Sequence, residues 1–196
     1  MAIMEKKIYL VFLSCYLILT STPVLAEKGF SLTLYGAQLT TDSLGDALIG
    51  QSYFEDSYLV SLAISKKIAS YEEYVDFEIE GQAVKHFGDQ DHWEFNGLPF
   101  VIRWYPMPWD KYIDTNMAFG AGLSYALRTP ALEARDIPDS PKLLGYLLFE
   151  LTFLPHRTSP WRVVLRLHHR SGANGLFGKD KRDGSNALGF GVRYNF

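Results

Sequence analysis

The most constraining feature of this chain is a two-residue rhythm that separates bulk from everything else. Met117, Phe119, Ala121, Leu123, Tyr125 and Leu127 alternate with Ala118, Gly120, Gly122, Ser124, Ala126 and Arg128. Successive side chains of a strand point to opposite faces, so this segment has one apolar face with most of the bulk and one of mostly small groups. The last residues repeat the pattern. Counting back from Phe196, one face carries Tyr194, Val192, Phe190 and Leu188, and the other Asn195, Arg193, Gly191, Gly189 and Ala187. Small residues inside and bulk outside invert the core of a water-soluble barrel.

The same alternation recurs along the chain. Phe30, Leu32 and Leu34 open a first strand ending near Leu39, and Thr40 to Asp56 reads as a long loop. Tyr58, Val60, Leu62 and Ile64 mark a second strand. In a third, Val75, Phe77 and Ile79 oppose Asp76, Glu78, Glu80 and Gln82. A row of carboxylates is costly in lipid, so that face looks into a polar lumen or into water. His86 to His92 reads as a loop, followed by a fourth strand with Leu98, Phe100, Ile102 and Trp104 on one face. The strand at Met117 is the fifth, and Thr129 to Lys142 is a second long loop. Leu147, Phe149, Leu151 and Phe153 define a sixth strand, and Trp161, Val163, Leu165 and Leu167 a seventh. Eight strands of roughly ten residues, with short and long connections alternating, predict an all-β fold, an eight-stranded antiparallel transmembrane β-barrel. The soluble alternative, a lipocalin-like barrel, would turn its apolar face inward around a ligand.

The N-terminus agrees with export. Lys6 and Lys7 precede an apolar run from Ile8 to Leu19, and Val24-Leu25-Ala26 offers small residues where a signal peptidase cuts. Residues 1–26 are expected to be a cleaved signal peptide and 27–196 the barrel. A retained helix needs about 20 apolar residues and finds about 12. Cys15 as a lipoprotein acceptor is disfavoured because the apolar run continues past it. Cys15 leaves with the signal, which excludes disulfides and thiol chemistry. The 19 basic and 22 acidic residues become 17 and 21 once Glu5, Lys6 and Lys7 are removed, so no basic field favours nucleic acid. A final strand ending in an aromatic, with Tyr194 and Phe190 behind Phe196, resembles the C-terminal strand of bacterial outer-membrane barrels. That likeness places the chain in the bacterial outer membrane.

Parity along the seventh strand puts His169 on the lipid face with Trp161, and Ser171 beside it if the strand continues. A tilted strand climbs roughly 2.5 Å per residue, so His169 stands about 20 Å above Trp161, near the outer rim of an apolar band about 25 Å tall. Asn186, ten residues before Phe196, reaches a similar height. Serine, imidazole and a third group there can cleave an acyl ester, with Ser171 as nucleophile and His169 as general base. Backbone N–H groups around Gly172, Asn174 and Gly175 can hold the oxyanion.

Signal peptide, small barrel and a lipid-facing His-x-Ser at the top of the penultimate strand, here His169-Arg170-Ser171, resemble the lipid A 3-O-deacylases of the PagL type. The resemblance implies hydrolysis of an acyl ester of lipid A in the outer leaflet, with lipopolysaccharide and outer-membrane lipids as partners. It departs at Gly172, where the family carries asparagine. It departs again at the third member, a glutamate in the family, for which strand parity gives Asn186 and counting from the serine gives Asp183. The alternatives are a non-catalytic barrel, structural or surface-binding, and another lipid-modifying barrel such as a palmitoyltransferase type. A homodimer is compatible with the chain.

No metal or organic cofactor is implied. His86, Asp89, Asp91 and His92 carry metal-ligating groups but read as an ordinary polar loop. Asp76, Glu78, Glu80, Arg103, Arg128, Glu150, Arg162 and Arg166 are expected to form a lumenal charge network.

Overall fold

The computed structural model describes residues 29–40, 43–48, 51–136, 140–154, 159–177 and 184–196; the expected signal peptide lies outside them. Eight strands follow in order: β1 (Phe30–Thr40), β2 (Phe54–Tyr71), β3 (Val75–Gly88), β4 (Trp93–Trp104), β5 (Thr115–Ala126), β6 (Leu143–Phe153), β7 (Trp161–Ser171) and β8 (Gly184–Asn195). Each pairs antiparallel with its sequence neighbours, and β8 closes on β1 from Ser31↔Asn195 to Thr40↔Asn186. Closure pairs the backbone within the sheet and leaves no edge, as a bilayer demands. The two expected long loops at this outer end hold short helices, α1 (Leu44–Leu48) and α2 (Ala131–Asp136).

Sidedness follows the alternation. On β2, Leu62 is 49% exposed and its neighbour Ala63 is fully buried; on β8, Phe190 is 71% exposed while Ala187 is buried. The apolar rows therefore face outward, which rules out the lipocalin arrangement. Aromatic side chains bracket them: Tyr58 stacks on Phe87 near the outer end, and Trp161, Tyr194 and Phe196 meet edge to face at the inner end. Such girdles suit the two interfaces of a membrane.

Ion pairs and hydrogen bonds fill the interior in tiers. Near the inner end Arg103 binds Glu78 and Glu150, Arg193 binds Glu78, and Arg166 spans Glu150 and both oxygens of Glu80. Above them Tyr146 and Asn96 donate to Gln82. At the outer end Glu94, His86, His168 and Arg170 converge beneath Glu133 of α2. The expected network is corrected at three members: Asp76 pairs with Lys67 near the inner end, Arg128 is exposed, and Arg162 lines the inner mouth. Arg193 takes part instead.

β4 corrects a second expectation. Leu98 points inward, 1% exposed, because the strand bulges: Gly97 pairs with Leu123, but Phe100 pairs with Ala121. One extra residue reverses the parity, and Pro99, without an N–H to offer the ladder, sits at the break. Leu98 and Val101 pack with Ala118, Tyr146 and Leu148 in a small apolar plug. Gly122 lies against this bulge, where an added Cβ would come 2.0 Å from the Gly97 carbonyl oxygen. On the lipid face of β3, a Cβ at Gly81 would meet nothing within 4 Å. Gly122→Ala should therefore lose about 1–3 kcal/mol in reversible urea unfolding from vesicles, while Gly81→Ala stays within about 0.5 kcal/mol of wild type. Equal losses would contradict the bulge packing.

Candidate functional site

Strand register assembles the outward site. His169 on β7 pairs directly with Asn186 on β8 and with Leu147 on β6, and Ser171 pairs with Gly184 and Gly145. All point away from the barrel axis. Gly184, at φ +134°, lets β8 meet β7 closely at its start: an added Cβ would lie 2.1 Å from the Arg170 carbonyl oxygen. That close approach sets the height of Asn186 two residues on.

His169 Nδ1 and Asn186 Oδ1 are 2.6 Å apart. An amide oxygen only accepts, so Nδ1 carries the proton and Nε2 keeps a free lone pair. His169 is half-buried and Asn186 buried, and an imidazole anchored through Nδ1 in this way can accept a proton at Nε2. Ser171 lies two residues along the same face, a spacing of about 6.6 Å between Cα atoms. Its Oγ accepts the Ala173 N–H at 3.0 Å, and among the described residues it makes no hydrogen bond to His169.

The chain after Ser171 turns at once into a 3₁₀ turn, Ala173–Gly175. Gly172 is right-handed (φ −67°, ψ −2°) and Ala173 left-handed (φ 49°), a succession that converges neighbouring N–H groups into an anion-binding nest. The oxyanion donors expected from sequence divide here. Gly172 and Asn174 belong to the nest, but the Gly175 N–H is already bonded to the Gly172 carbonyl oxygen at 3.0 Å. Phe177 packs on the outer wall, its ring edge 3.2 Å from where a Gly145 Cβ would stand. It forms an apolar wall beside Ser171. Asp183 lies outside the described residues.

Adjacent residues on β7 go separate ways. His168, on the inward face with Arg166, is buried on the axis, with Nδ1 within 3.0 Å of the Tyr35 hydroxyl and Nε2 2.9 Å from Glu94. The sequence reading missed this interior group of Glu94, Arg170, Glu133 and His168. Parity against Trp93 and Phe95 pointed Glu94 inward, and parity with Arg166 did the same for His168 and Arg170. The expected loop from His86 to His92 is corrected as well. His86 to Gly88 complete β3, and His86 and His92 stack at the barrel mouth with ring centroids 4.2 Å apart. Asp91 instead pairs with Lys85 on the surface, which holds its carboxyl below the usual range.

No family model matches the chain, and no curated protein does either. Solved structures do. The outer membrane enzyme PagL superposes with a TM-score of 0.50 at 14% identity, over 85% of this chain and 99% of its own. Neisserial surface protein A superposes with a TM-score of 0.50 at 12% identity, over 86% of this chain and 98% of its own. At such identities the likeness is one of architecture, and the architecture is that of the small eight-stranded outer-membrane barrels.

Proposed function

We propose that this barrel is an acyl-ester hydrolase of the bacterial outer membrane, acting on lipid A of lipopolysaccharide in the outer leaflet. The observation that carries the reading is the His169–Asn186 pair, facing outward near the outer rim, with Ser171 on the same face and a nest of N–H groups behind it. An apolar outer wall presents this group to acyl chains at the depth where they join their sugar head group.

Rotation of Ser171 about χ1 moves Oγ from the Ala173 N–H toward His169 Nε2. Nε2 takes the hydroxyl proton as Oγ attacks the ester carbonyl, and the same rotation frees the Ala173 N–H for the oxyanion. His169 then returns the proton to the departing sugar oxygen, and water clears the acyl-enzyme by the reverse sequence. Asn186 keeps the imidazole in the productive tautomer but brings no charge to stabilise imidazolium. A turnover below that of a carboxylate triad is the consequence.

A non-catalytic barrel is the competing reading, favoured by one contact: Ser171 Oγ already serves the turn by accepting the Ala173 N–H. Mass spectrometry of lipid A separates the two. Cells making the wild type should lose one acyl chain, and cells making Ser171→Ala or His169→Asn should keep it. Lipid A identical in all strains would exclude the hydrolase. Imidazole ¹⁵N spectra of the folded barrel test the tautomer separately: His169 should carry its proton on Nδ1, and Asn186→Leu should move it toward Nε2. An unchanged spectrum in Asn186→Leu would remove Asn186 from the site.

A further inference from the structure

The interior of the outer mouth holds a second constellation, on the opposite side of the wall from Ser171. His86 on β3, His92 just before β4, and Glu94 on β4 each place one donor atom within 4.8 Å of the other two. All three are buried, at 2%, 5% and 0% exposure. We propose that they bind a divalent transition-metal ion of the zinc class, which ties the β3–β4 connection to the barrel interior.

Three observations carry this. First, His92 Nε2 is buried and has no hydrogen-bond partner among the described residues. An imidazole nitrogen left bare inside a protein is costly, and a metal ion satisfies it. The His86 and His92 rings stack with centroids 4.2 Å apart, so both are at hand for one ion once one ring tilts to bring its nitrogen lone pair onto it. Ligands at about 2.1 Å lie about 3.4 Å from one another in a tetrahedron, so donors now within 4.8 Å close by up to about 1.4 Å. His86 Nε2 and Glu94 Oε2 already stand 3.1 Å apart.

Second, the outer groups that would orient the ligands are present. His168 Nε2 lies 2.9 Å from Glu94 Oε1, with its other nitrogen against the Tyr35 and Tyr146 hydroxyls. Gln90 Nε2 lies 3.1 Å from His86 Nδ1, and Gln90 Oε1 is buried without a partner. A half-turn of that amide lets Oε1 accept the Nδ1–H of His86, which leaves Nε2 as a lone-pair donor. Metal-bound histidines are held this way.

Third, the charges do not balance without a cation. Glu94 and Glu133 are buried with one guanidinium, Arg170, which binds Glu133 at 2.9 Å and Glu94 at 3.3 Å. With neutral imidazoles the group carries one excess negative charge, which a divalent ion reverses to one positive and a proton on an imidazole cancels; burial therefore calls for an added cation, and the donor atoms select the metal. Imidazoles with one carboxylate are the donor set of zinc rather than of magnesium or calcium. The inference is independent of the lipid A reading, since no member faces lipid.

The test uses the whole folded barrel in detergent, stripped with a chelator. Co²⁺ should bind one per chain at micromolar concentration with the visible absorption of a four-coordinate ion. Zn²⁺ should displace it and raise the melting temperature. His92→Gln and Glu94→Gln should each weaken binding by tenfold or more, in barrels shown to be folded by ellipticity. If a variant fails to fold, ¹⁵N-histidine spectra of the wild type decide: Zn²⁺ should move the His86 and His92 signals and leave His169 in place. Wild type without saturable binding, folded His92→Gln with unchanged affinity, or unmoved His86 and His92 signals would each overturn the site. An imidazolium with no bound metal would assign the missing charge to a proton.

Discussion

The ion lattice along the barrel axis is the constraint on which the other features depend. Three guanidiniums, Arg103, Arg166 and Arg193, share three carboxylates, Glu78, Glu80 and Glu150, and every one is nearly inaccessible. Buried pairs of this kind contribute little net stability, but breaking one leaves an uncompensated charge. Their effect is on register. A one-residue slip of β7 would turn Arg166 out into hydrocarbon, at about 2–4 kcal/mol near the midplane, and strand its partners inside. Aliphatic rows outside and the lattice inside therefore fix the same sidedness from both directions.

That sidedness gives adjacent histidines unlike surroundings. On β7, His168 turns to the axis and joins Tyr35, Tyr146 and Glu94, while His169 turns to the lipid face and joins Asn186. Arg170 then points inward to Glu133, and Ser171 outward beside Phe177. Strand alternation alone sorts four consecutive residues into an interior polar cluster and an exterior histidine–serine pair. Helix α2 couples them, because Glu133 binds both Arg170 and Ser185, the residue before Asn186. The loop that holds α2 therefore also braces the strand that carries Asn186, the partner of His169.

Much of this was legible in the sequence, because period-two alternation is a local property. It located all eight strands, and it placed His169, Ser171 and Asn186 on one outward face before any register was known. It failed where local pattern and register part company. Leu98 looked outward by parity until the extra residue at Pro99 reversed it. His86 and His92 looked like loop residues because the polar run hides the end of β3, and only closure of the barrel carries Glu94 and His168 to them. Asn186 Oδ1 against His169 Nδ1 required the β7–β8 register, which counting from either end fixed only to within a few residues.

The central claim is that the apolar rows face hydrocarbon. Nitroxide labels on single cysteines along β2, in a barrel reconstituted in lipid vesicles, test it most directly. Labels at Val60, Leu62 and Ile64 should collide with dissolved oxygen far more often than with a water-soluble nickel chelate, and a label at Ala63 should be screened from both. The opposite alternation, with Ala63 open to oxygen and Leu62 shielded, would contradict the account.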